Sequence, residues 1–131
     1  VILTIPGRPR SKKNSLRIAR TATGRPFVLP SQANQVWHRD AVRALREQWR
    51  GPRGPLPALA GPVSVGYRFY LRDGRSEPDA DNLMAAVNDA LEDAGILGND
   101  RQIRCGTFTK SWDKANPRVE LTLHVLTDEA A

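Results

Sequence analysis

A single cysteine, Cys105, excludes an internal disulfide, and two histidines far apart in the chain, His38 and His124, speak against a structural zinc site. With no visible chemical partner, Cys105 reads as a packing residue. Aromatic residues make up only 6% of the chain. No exposed stacking platform for single strands is evident among them, which ranks a basic RNA-binding domain last among the readings of this chain. No apolar run approaches the roughly 18 residues of a spanning helix, and no charged-then-apolar leader stands at the start, so the expectation is a soluble, cytoplasmic chain with no membrane partner. At 131 residues the chain has room for one domain with a real core and not for two ordinary ones, so residues 1–131 read as a single domain.

Acidic residues are scarce in the front of the chain. Residues 1–53 carry twelve Lys and Arg against two acids, whereas the remainder carries eight against twelve, for a net charge of +6. Such a balance favours a polyanionic partner, because cations that neutralise phosphates release counterions and gain affinity without reading sequence.

The apolar, β-branched run over residues 1–5 reads as a strand stopped by Pro6-Gly7. A basic loop follows over 7–25, with Arg8, Arg10, Lys12, Lys13, Arg17, Arg20 and Arg25 among Gly, Pro, Ser and Thr, and with a short strand at 27–29. It is either a solvated loop or a phosphate-tracking arm. Ser31 suits the cap of a helix running to about Arg50, with Ala33, Trp37, Ala41, Ala44 and Leu45 on the core side. Arg39, Arg43, Arg46 and Arg50 line the opposite side, as a solvated face or a second phosphate contact. The Pro/Gly-rich connection 51–62 breaks any regular element.

Period-two alternation marks 63–71 and 118–125 as half-buried strands, with His124 on the polar face of the second. A weaker strand over 103–112 is expected to turn through 113–117 into the last one as a hairpin. The sum is an α+β fold: a small mixed or antiparallel sheet of about four strands with two main helices on one face.

Between the third and fourth of these strands lies an acidic cluster. Asp79 and Asp81 precede a helix whose inward face is Leu83, Ala86, Val87, Ala90, Leu91 and Ala94, closed by Gly95, and Asp100 follows a short turn. Inside one helix Asp79 and Asp81 would diverge by about 200°. At a junction set by Pro78 the two side chains are free to aim at one point. Helix capping and turn chemistry explain the same residues without function. A calcium EF-hand is excluded, since it would need Gly where Met84 stands and Glu where Ala90 stands. Carboxylates about 4 Å apart repel by about 4 kcal/mol at an effective dielectric near 20, a cost that a hard divalent ion, Mg2+ or Mn2+, removes.

The run Asp79-Ala80-Asp81-Asn82-Leu83, then Asp89-Ala90-Leu91, Ala94-Gly95 and Asn99-Asp100-Arg101-Gln102-Ile103, resembles the RusA-type Holliday junction resolvases, small endodeoxyribonucleases. The likeness covers most of the chain, including a Pro-then-Asn loop from Pro9 to Asn14. It implies a magnesium-dependent homodimer that nicks four-way or other branched DNA in pairs. Catalytic, metal-holding aspartates fall at Asp79, Asp81 and Asp100, with Asn82 and Asp89 in support. DNA contacts are expected from Arg8, Arg10, Lys12, Lys13, Asn14, Arg17, Arg20, Arg75, Lys110 and Lys114. Two positions depart from the pattern: Ala85 stands where the family has a lysine, and Pro78 where it has a basic residue. Arg72, Arg75, Lys110 and Lys114 are the candidate substitutes. The alternative that Ala85 raises is a junction-binding protein with weakened or lost catalysis.

Overall fold

The computed structural model describes residues 1–10, 16–30, 32–74 and 79–127, with backbone alone at 16–19, 27–30 and 32. Ser31 and Pro78, the expected cap and junction residues, lie outside the described residues. In chain order the elements are β1 (Ile2–Pro6), β2 (Leu16–Arg20), β3 (Pro26–Pro30), α1 (Gln32–Gln48), β4 (Arg50–Gly51), β5 (Gly54–Pro55), β6 (Val63–Leu71), α2 (Ala80–Asp93), a 3-10 turn (Asp100–Gln102), β7 (Ile103–Trp112) and β8 (Arg118–Val125).

β6 is the centre of a four-stranded sheet of order β1-β8-β6-β7. Its alternation puts Val63, Val65, Tyr67, Phe69 and Leu71 inward. Val119, Leu121 and Leu123 of β8 and Leu3 and Ile5 of β1 continue the same apolar face. Both helices contribute to the core that this face builds. Trp37, Ala41, Val42, Leu45 and Trp49 come from α1 and its end, and Leu83, Ala86, Val87, Ala90 and Leu91 from α2. The fold is therefore α+β, with a mixed sheet and two main helices.

Several expectations change. The 103–112 and 118–125 strands do not form a hairpin. β8 pairs antiparallel with β6 and β1, while β7 pairs parallel with β6 on its other edge. A β6-α2-β7 crossover takes the place of the hairpin, because the helix after β6 returns the chain to start β7 in the same direction. The basic stretch expected as a loop folds in part into the antiparallel β2–β3 hairpin, turned at Gly24 with φ +86°. The apolar stripe of α1 is also shifted: Ala33 is exposed and Ala44 only half-buried, while Asn34 and Val42 are buried. Asn34 is there for its amide, which donates to the Arg10 carbonyl and ties the start of the basic segment to α1.

Side chains finish the sheet margins. At the free edge of β1, Gln48 behaves as a strand fragment. Its Oε1 accepts from Thr4 N at 2.9 Å and its Nε2 donates to Thr4 O at 2.7 Å, covering an edge open to further pairing. At the turn before β8, Arg118 donates to Asp113 at 2.8 Å and lies over the Tyr70 ring at 3.9 Å, and its hydrogen bond holds the Asp113 carboxyl below the usual range. The 51–62 connection, expected to hold no regular element, opens with the short antiparallel β4–β5 pair and is pinned by Trp49 Nε1 to Pro57 O at 3.2 Å and Leu59 N to Ile96 O at 2.9 Å.

Phe69 is fully buried on the central strand. Phe69→Ala should cost about 3–5 kcal/mol through lost transfer energy and a residual cavity, read as a lower urea midpoint at unchanged slope.

Candidate active site

Asp81, Ala85 and Asn88 recur at four- and three-residue steps along α2 and so share one face. With Met84 they form one wall of a groove of about 490 Å³. The opposite wall is β7 from Ile103 to Phe108. Every residue of β7 is exposed or half-exposed, so this edge of the sheet is left open. Tyr67 of β6, 4% exposed, reaches the groove from the core.

Asp100 is set in place by backbone chemistry. α2 ends in a Schellman turn, with Gly95 at φ +79°, Gly95 N bonded to Glu92 O at 3.0 Å and Ile96 N to Leu91 O at 3.0 Å. The 3-10 turn that follows carries a capping box. Asn99 Oδ1 accepts from Arg101 N at 2.8 Å, and Gln102 Oε1 accepts from Asn99 N at 3.1 Å. Gln102 Nε2 also donates to the carbonyls of Leu59 and Gly61 at 2.8 and 2.9 Å. Glu92 Oε1 accepts from Asp100 N at 2.6 Å, joining α2 directly to the turn. The Asp100 carboxylate is left lining the groove.

The groove thus brings together Asp81, from the first turn of α2, and Asp100, from the segment after its last. They enter from opposite ends of a helix that rises about 1.5 Å per residue. Asp79 is the residue before α2, extended at φ −64°, ψ 143°, and its side chain makes no capping hydrogen bond. It does not line the groove, and neither do half-buried Asn82 and exposed Asp89. Among the described residues no three His, Cys, Asp or Glu side chains form a cluster able to hold a metal. The donor set still suits magnesium, which takes one or two carboxylates, keeps waters and accepts substrate phosphate oxygens to complete its shell.

The expected DNA contacts are spread widely. Arg8 and Arg10 line a separate concavity against α1, with Trp37 and Asp40. Burial, then Arg10, lowers the Arg8 pKa, while Asp73 opposes the shift. Arg17 and Arg20 belong to β2, Lys110 is half-buried on β7 and Lys114 is exposed in the turn before β8. Lys12, Lys13, Asn14 and Arg75 lie outside the described residues. The arginine face of α1 is exposed, beside a His38 Nε2–Asp93 Oδ2 contact of 2.6 Å.

Sequence reasoning missed three groove residues, Tyr67, Asn88 and Arg104. The Tyr67 hydroxyl donates to Asn88 Oδ1 at 2.6 Å, fixing α2 against β6. Burial pushes the phenol up to about 12; the Asn88 bond works against this and the charge of Asp100 adds to it. Polar Asn88 on the outer helix face was the available signal. Arg104 owes its place to an irregularity: Val63 pairs with Ile103 and Ser64 with Cys105, leaving Arg104 as the unpaired residue of a bulge. Cys105 is exposed in the groove, not packed, because no helix covers β7. The uncovered strand also exposes two aromatics, Phe108 and Trp112, contrary to the expectation of no exposed platform.

Residues 6–124 match the family model described as endodeoxyribonuclease RusA. A crossover junction endodeoxyribonuclease RusA of Aquifex aeolicus (strain VF5) is 33% identical over 95 residues, covering 72% of this chain and 68% of the relative. Among the described residues no helix is long and apolar enough to cross a membrane.

Of the two tyrosines, Tyr67 should ionise near pH 12 in a phenolate absorbance titration, a step that Tyr67→Phe removes. Because the folded value lies above the unfolded value of about 10, its contribution to stability is intact below about pH 10 and is lost as pH rises through about 12.

Proposed function

The chain belongs to the RusA endodeoxyribonuclease family, and from that membership we propose that it is a divalent-metal-dependent, homodimeric endonuclease that resolves four-way DNA junctions by paired nicks. One domain would carry both the basic front and the acidic site. The observation that carries this reading is the groove itself: Asp81 and Asp100, from two separate elements, face one open concavity in a chain whose front half is strongly cationic.

Each part has a chemical task in this reading. Asp81 and Asp100 are the residues that would hold magnesium, and Asp79, two residues before Asp81 and free of any capping bond, is the third candidate although it does not line the groove. Magnesium, when bound, supplies positive charge to a phosphate oxygen and makes a nucleophile from water near neutral pH. The chain's own groups do the rest. The glutamate-to-amide bond from Glu92 and the cap of Asn99 fix where the Asp100 carboxylate stands. Neutral Tyr67 adds no further anion to a groove that must admit a phosphodiester. In the hydrolysis, a water oxygen bonds to phosphorus as the P–O3′ bond breaks, one water proton is released to solvent, and the 3′ oxygen leaves as a hydroxyl. Arg8, Arg10, Lys12, Lys13, Asn14, Arg17, Arg20, Arg75, Lys110 and Lys114 supply affinity for the DNA backbone, and Asn82 and Asp89 support the acidic helix.

A second reading follows from Ala85, which faces the groove with a methyl group only: a junction-binding protein whose catalysis is weakened or lost. Incubation with a synthetic four-way junction separates the two. The first reading expects paired nicks with Mg2+ or Mn2+ and none in a chelator. An intact junction under every metal and pH condition, with salt-sensitive binding retained, selects the second.

Asp81→Asn and Asp100→Asn should each lower cutting by about 100-fold or more while leaving junction affinity nearly unchanged, because the chemistry is lost and the phosphate contacts remain. The same pattern is expected for Asp79→Asn. Quantitative junction cleavage alongside gel-shift titration checks all three.

A further inference from the structure

We propose that Arg104 is the side chain that grips the scissile phosphate in the groove, a role that rests on the nuclease reading above. In the parallel β6–β7 pair the register slips by one residue between Val63 and Ser64, so that Arg104 stands opposite nothing. Bulges are rare in parallel pairs, bend the strand they occupy, and are over-represented beside active sites, where they re-aim a side chain. Here the re-aimed side chain lines the acid groove.

The irregularity is locked from the next positions. A Cβ on Gly106 would stand 2.0 Å from the Val65 carbonyl oxygen, so the two strands meet again, two residues on, at a separation that only glycine allows. The extra residue is not absorbed by loosening the ladder, and Arg104 stays turned out. Capping and core packing do not account for an arginine here, since the residue is exposed and lies past the 3-10 turn.

Charge gives the residue its task. Asp81 and Asp100 make the groove anionic, and a phosphodiester brings a further negative charge. Arg104 is the one cationic side chain lining the groove among the described residues. It has no ion pair or hydrogen bond to another described residue, so its guanidinium is uncommitted. A guanidinium presents two parallel donors that match two non-bridging phosphate oxygens, which holds the phosphate in orientation as well as in place. Ala85, on the facing wall, leaves the space between the walls open for that phosphate. Of the residues expected from sequence to supply this charge, Arg72, Lys110 and Lys114 do not line the groove, and Arg75 lies outside the described residues.

The test uses the full chain and a synthetic four-way junction, with two independent readouts. In single-turnover cutting with Mg2+, Arg104→Ala should lose about 100-fold, with junction affinity in Ca2+ within about 3-fold of the parent at the same salt. Arg104→Lys should retain an intermediate rate. Ala85→Lys added to Arg104→Ala should restore cutting by about 10-fold or more, because a lysine there points a cation into the same groove. The second readout needs no cutting: the Arg104 Nε–Hε resonance of 15N-labelled protein, identified by its loss in Arg104→Lys, should shift when junction is added in Ca2+. The proposal is overturned by an unmoved Arg104 resonance at saturating junction, or by Arg104→Ala cutting at the parent rate. An equal loss of affinity and cutting would also overturn it, as the mark of a general backbone contact. If the parent protein itself does not cut, the nuclease reading falls, while the resonance shift still decides whether Arg104 meets the phosphate.

Discussion

Everything at the groove depends on β6 and β7 running parallel. Two parallel neighbours cannot be joined by a tight turn; the chain must travel back over the length of the sheet before the second begins. α2 makes that return, and its apolar face is buried as it does so, which turns Asp81, Ala85 and Asn88 toward the outer strand. The same geometry makes β7 an edge strand that the helix only partly overhangs. An open channel between a helix wall and an uncovered strand is the consequence, and the acids that begin and follow the return are delivered to it.

Keeping two carboxylates in one channel is electrostatically costly, and the surrounding groups limit how much further negative charge collects there. Glu92, a third acid nearby, is committed to the Asp100 amide. Tyr67 is held protonated across the working pH range, so its oxygen acts as a donor to Asn88 and not as an anion. Among the described residues Arg104 adds the one positive charge that lines the channel. The arrangement leaves the channel short of cations by itself, which is the condition under which a divalent ion and a phosphate can enter together. An ion alone would meet carboxylates; a phosphate alone would meet repulsion offset at one point only.

How far the sequence carried depended on whether a feature was local. The alternation of β6 and β8 and the inward face of α2 were legible because each is a periodicity within one element, and burial follows the period: Val119, Leu121 and Leu123 are buried as their spacing requires. Asn99 and Asp100 were legible as turn chemistry, and both, with Gln102, as part of a resemblance. The partner of β7 was not, since a short polar turn at 113–117 suits a hairpin equally well, and only the competition for the edge of β6 decides. Cys105 followed that error, being read as packed on a strand that proves to be uncovered. Asn34 broke the apolar stripe of α1 for a contact 24 residues away, which no periodicity reveals. Arg104 was hidden for a related reason: its direction is set by a slip in register, a property of two strands together.

The cations of this chain divide by range. Those of the front half act through the summed field, which draws in a polyanion from beyond contact but fades over about 8–10 Å at ordinary salt. A field of that kind raises encounter and affinity without favouring one phosphate over its neighbours. Orientation of a single phosphate needs a donor pair at contact distance on a backbone that does not yield. Arg8 and Arg10 lie in a different concavity and cannot supply it to this groove. A bulged residue, with its strand pinned two positions later by the close approach of Gly106 to Val65, can. Affinity can therefore be distributed over a surface, whereas positioning is concentrated in one residue whose placement the sheet enforces.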